Sequence, residues 1–221
     1  MSRFREKRQT RAGGGRPMGT KQAEKYAEGA GQIAPYEPQA KAGALAAYMS
    51  SVRIYRIAEL PRIELYLDQV ITLVSDELAF MCLPDEQTLT GSMVNNYVKQ
   101  RLIPAPNRKR YTRRHVASLL FVCALKRVYS IAQLQQIMGM IEEAHVDAGA
   151  LYDEVVAALE CALAEQFAVG PDFVAPVVEP TIRPRDEAGR EVAPGLARVL
   201  EAAVASLAAK VYVEQTLALA E

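Results

Sequence analysis

The sequence predicts a mainly α-helical protein, and three observations carry that prediction. Apolar residues recur at spacings of three and four through most of the chain. Prolines fall at the edges of those runs, at Pro61, Pro84, Pro104 and Pro106, and not within them. Thr90, Thr112 and Ser130 each stand where a side-chain oxygen would cap the next helix.

The 221 residues suffice for one ordinary core plus tails or a second small unit. Hydrophobic residues make up 50% and charged ones 24%, a globular composition. The absence of Trp and the five Phe argue against a large aromatic cage. Net charge is zero but unevenly spread. Residues 1–60 carry 11 basic and 5 acidic groups, 61–140 carry 10 and 6, and 141–221 carry 5 and 15. A basic front can meet a polyanion, while an acidic rear opposes non-specific attachment. The three cysteines, Cys82, Cys123 and Cys161, are odd in number and widely spaced in apolar helical settings. They read as buried free thiols in a reducing compartment. No secretory leader is visible, and the longest near-apolar run, VASLLFVCAL, is too short for a bilayer. A cytoplasmic location without membrane contact is expected.

Residues 1–45 read as a flexible basic tail. Six of the thirteen glycines and eight Lys or Arg fall in the first 31 residues. Arg62–Met81 reads as the first helix, with Leu67, Val70, Ile71, Val74, Leu78 and Met81 inward and Pro61 at its start. Thr90 or Ser92 caps a short second helix to about Arg101. Its Met93, Val94, Tyr97 and Val98 lie on one side, and Ser92, Asn95, Asn96 and Lys99 on the other. Pro104 and Pro106 push Ile103 and Ala105 to extended backbone, and the next residues suit a tight turn or small hairpin. Thr112 opens a third helix to about Arg127, apolar nearly all round and the expected centre of the core. Ser130 opens a fourth, with Ile131, Leu134, Ile137, Met138 and Ile141 inward.

Helical, acidic, Ala-rich sequence then runs from Ile141 to about Val169. Five of the twelve prolines follow between Pro171 and Pro194, a linker or wrapping arm. Leu196–Leu219 closes the chain as an amphipathic helix. Its Leu200, Val204, Leu207 and Val211 make a coiled-coil-like seam about two heptads long, too short to require a free-standing coil, and the acidic helical tail is expected to dimerise the chain or engage a partner. The segments are thus 1–45, 60–141, 142–169, 170–195 and 196–221.

The stretch LTGSMVNNYVKQRLIPAPNRKRYT, Leu89–Thr112, holds five Lys or Arg and no acid. Helix, short polar-faced helix, basic turn and apolar helix is the order of a winged helix-turn-helix. Asn95 and Asn96 can pair with adenine edges, and Ser92 and Lys99 share their face. Arg108, Lys109 and Arg110 fill the wing. Arg113 and Arg114 open the next helix against its dipole, an unfavourable choice that phosphate contact would offset.

MVNNYVKQRLIPAPNRKRYT followed by LLFVCALKRVYSIAQLQQIM resembles the DNA-binding domain of the MerR-type transcriptional regulators. Tyr97, Leu102, Ile103, Pro104, Tyr111, Thr112, Ser130 and Ile131 carry the resemblance. Residues 61–141 are more similar still to an uncharacterised bacterial family filed as a domain of unknown function, through Asp68, Gln69, Met93, Asn95, Asn96, Tyr97 and Lys99. MerR-type recognition helices usually show Arg where Asn95 stands and Gly where Arg101 stands, and the wing here is shorter. The long dimerisation helix and effector pocket of that family are not recognisable. The resemblance implies a DNA-binding scaffold, not metal or drug sensing.

Other patterns carry less. GGRPMGTK at 14–21 reverses the Lys-Ser/Thr order of a phosphate loop and follows no strand. Glu142-x-x-His145 has the spacing of one half of a di-iron site, but the whole site needs two such motifs plus two more Glu, and only two histidines exist. His115 and Cys123 lack an orienting third group. No enzyme, metal, cofactor or small-molecule ligand is therefore expected. The sequence reads as a transcription regulator binding double-stranded DNA as a homodimer through its C-terminal helices. The alternative is a protein-interaction adaptor that uses those helices without touching DNA.

Overall fold

Several helices begin where apolar spacing and a capping group coincide. The computed structural model describes residues 38–168 and 181–219, and among them are seven α-helices and no strand. They are α1 (Pro38–Ser50), α2 (Leu67–Glu77), α3 (Gly91–Lys99), α4 (Arg113–Lys126), α5 (Ile131–Glu143), α6 (Ala148–Gln166) and α7 (Pro194–Ala218). Thr90 Oγ1 accepts the Met93 N–H at the start of α3, and Ser130 Oγ that of Gln133 at the start of α5.

α4 lies at the centre, as its all-round apolar sequence predicts. Nine of its 14 residues are buried, and it touches α2, α5, α6 and α7. One hydrophobic core runs from Met49 through Val116 and Leu163 to Val211. Segments 60–141, 142–169 and 196–221, distinct by composition, therefore share one interior.

Several boundaries differ from expectation, each for a local reason. Of the expected 1–45 tail, residues 1–37 lie outside the described residues, but 38–50 form α1. Leu45, Ala46 and Met49 pack there on the core, and α1 contacts α6. The first long helix begins at Leu67, not Arg62, because Leu65 exchanges both backbone hydrogen bonds with Tyr111, at 2.8 and 2.9 Å. Gln69 Oε1 then accepts the Tyr66 N–H and starts the helix.

The helix expected from Ile141 to Val169 breaks at 144–147. His145 takes a positive φ of 50°, and the Asp147 N–H bonds to Arg185 O at 2.8 Å. Asp147 then caps α6. The Pro-rich stretch is an arm where it is described. Ile182 is buried, and the Arg183 N–H reaches Glu154 Oε2. Its part at 169–180 lies outside the described residues. The coiled-coil-like seam of the last helix is occupied within the chain. Leu200, Val204, Leu207 and Val211 are all buried, and α7 makes its most extensive helix contact with α6.

Polar ties fix the chain before α2 to α6. Arg56 forms a two-armed pair with Glu160 at 2.7 and 2.6 Å, and Ile57 N–H bonds to Asp153 at 2.7 Å. At the other end of the core, Arg127 bridges Glu86 at 2.7 Å and Glu214 at 2.6 Å.

Candidate nucleic-acid interface

α3 is a nine-residue helix with two unlike faces. Val94 and Tyr97 are buried and Met93 and Val98 half-buried, whereas Ser92, Asn95, Asn96 and Lys99 are exposed. The Ser92 hydroxyl is hydrogen-bonded to Thr90 Oγ1 at 3.0 Å, beside the cap. Asn95, Asn96 and Lys99 stand free of that cap on the outward side.

α3 ends abruptly. Leu102 N–H bonds to Tyr97 O and Arg101 N–H to Val98 O, the paired closure of a helix that turns left-handed at its end. Arg101 supplies the left-handed residue at φ 57°, where glycine fits without a Cβ penalty. Gln135 of α5 donates to Gln100 O at 2.9 Å and holds that end.

The basic turn is a minimal hairpin. Asn107 and Arg110 pair, and Arg108 and Lys109 between them take φ values of 47° and 62°. Two positive φ values in a two-residue connection describe a type I′ turn, which normally takes Asn and Gly. Of the six non-glycine residues with positive φ among the described residues, Arg101, Arg108 and Lys109 are three. All three are exposed. Arg110 lies over the Tyr66 ring, 3.7 Å from its centroid, which fixes its guanidinium at the base of the turn. None of the seven ion pairs among the described residues uses a cation from Lys99 to Arg114.

Below the turn, Tyr111 is buried and meets His115 edge-on at 5.7 Å between ring centroids. His115 Nδ1 accepts the Thr112 N–H at 3.1 Å, which leaves Nε2 to donate to Ala105 O at 3.4 Å. His115 thus positions both the start of α4 and the Pro104–Pro106 segment. Sequence reading missed this role, although Thr-x-x-His has the capping-box spacing with histidine in place of Glu or Gln. It also missed Tyr66, for which no local signal exists.

The nine predicted residues fall on three successive elements. Asn95, Asn96 and Lys99 share the α3 face, with Ser92 at the cap. Arg108, Lys109 and Arg110 share the turn. Arg113 and Arg114 line a cleft with Pro104 and residues of α5 and α6.

The described residues thus define a mainly helical protein in which the cations from Lys99 to Arg114 form no ion pair among the described residues. Residues 55–155 match an uncharacterised family, described as Domain of unknown function (DUF1836). The match begins at the segment tied to α6 and ends within α6. No curated protein and no solved structure matches the chain. No helix among the described residues is long and apolar enough to cross a membrane.

Proposed function

We propose that residues 60–141 form a winged helix-turn-helix that binds double-stranded DNA in transcription regulation. α3 is its recognition helix and 104–111 its wing. One observation carries this reading: Arg101, Arg108 and Lys109 are exposed and held in left-handed backbone. Such residues cost on the order of 1 kcal/mol each and collect where function demands them. Phosphate neutralisation is a gain that would offset that cost. Asn95 and Asn96 supply the base-reading chemistry and Arg110 the positioned phosphate contact. A second copy, needed to read two half-sites, would pair through a face other than the α7 seam.

The test is duplex binding by fluorescence anisotropy over a salt series. Affinity falls steeply with salt, and Lys99→Ala and Arg110→Ala each reduce the log–log slope by about one. Binding insensitive to salt and to both substitutions would favour the adaptor reading.

A further inference from the structure

Arg113 and Arg114 have a second setting besides the basic turn. With Ala117, Ser118 and Phe121 they form one stripe of α4 that lines a cleft of about 480 Å³. The end of α5 contributes Met138 and Ile141, and the start of α6 contributes Gly149 and Leu151. That volume is in the range of small-molecule sites, as is a mostly apolar wall with a few convergent polar groups. Three charged residues reach the wall. Asp147 is engaged by its own helix, where Oδ1 accepts the N–H groups of Gly149 at 2.9 Å and Ala150 at 3.2 Å. Among the described residues, neither Arg113 nor Arg114 has a hydrogen bond or ion pair from its guanidinium.

We propose that this cleft binds a small amphiphilic anion, a carboxylate on an aliphatic or aromatic body. The guanidinium forks match the carboxylate geometrically. The body covers Phe121, Met138 and Ile141 and displaces water from them. A cation is repelled at the charged end, and a neutral ligand leaves the guanidiniums desolvated without a partner. A small polar anion such as acetate leaves the apolar wall wet. The site stands independently of the DNA reading, because its test needs no nucleic acid.

The experiment is calorimetry of the full chain with octanoate, using octylammonium and acetate as controls. Octanoate binds with a dissociation constant on the order of 1 mM or tighter, and neither control produces measurable binding. The double variant Arg113→Gln, Arg114→Gln weakens octanoate at least roughly tenfold. Ser118→Phe, which fills the cleft, abolishes it. Melting followed by circular dichroism checks that both variants fold, and amide shifts on adding octanoate concentrate at Ser118, Met138 and Gly149. Three results overturn the proposal: no octanoate binding, equal binding of octylammonium, or unchanged binding in the folded double variant.

Discussion

Arg108 and Lys109 occupy turn positions where the backbone favours Asn and Gly, so that chemistry and conformation oppose each other there. Replacing the pair, Arg108→Asn with Lys109→Gly, relieves the left-handed strain. It raises unfolding free energy by about 1–2 kcal/mol in urea titration. On the DNA reading the same double variant binds duplex more weakly, a trade of stability against function. His115 gives the opposite test. His115→Ala removes a capping acceptor and a buried ring together, and stability falls by about 2 kcal/mol in the same titration. His115→Gln restores part of the loss, since Gln at that position completes the usual capping box. Both sites show where sequence reading stops. The cations were visible as a basic run. The φ values that make them costly come from the Asn107–Arg110 pairing and the closure after α3.

Among the helices, α3, α4 and α5 were legible because a Ser or Thr cap precedes an apolar run at each. Thr112 and Ser130 occupy the N-cap positions predicted for them, and of the two candidates Thr90 and Ser92 it is Thr90 that caps α3. The misplaced boundaries at Leu67 and at 144–147 share one cause. Backbone pairing with a distant segment, Tyr111 in one case and Arg185 in the other, removes residues from a helix their local pattern would continue. α7 shows the same limit in its partners. Its heptad-like seam could face a second copy or its own chain, and the spacing is identical in both cases. Because α6 covers it, Leu207→Ala leaves a cavity inside one chain and costs about 2–5 kcal/mol. Whatever dependence of the melting temperature on protein concentration the parent chain shows, that variant keeps. A strong concentration dependence that Leu207→Ala abolishes would return the seam to an intermolecular role.

For the molecule as a whole, the core sets a limit at alkaline pH. Burial pushes the Tyr97 hydroxyl and the Cys123 thiol each up to about 12, and raises the Tyr152 hydroxyl as well. Each group keeps its proton longer in the folded chain than in the unfolded one. The unfolded state therefore binds fewer protons once pH passes the ordinary thiol and phenol values of about 8.5 and 10. Stability is fully present below that range and is lost as pH rises through the folded values. The urea midpoint stays flat from neutrality to about pH 8.5 and then declines. Cys123 remains unalkylated by iodoacetamide until the chain unfolds, because its thiol is both buried and protonated.

By itself, the sequence determined the helical class, the order of the central helices, the two faces of α3 and the uneven distribution of charge. Each of these is a property of residues within a few turns of one another. Tertiary structure alone decided that α1 and the proline-rich arm close on α6, that the α7 seam is covered from within, and that Arg113 and Arg114 line a cleft. Those outcomes depend on which of several equivalent apolar faces meet, and the meeting is selected by burial summed over the whole core, which no local spacing encodes.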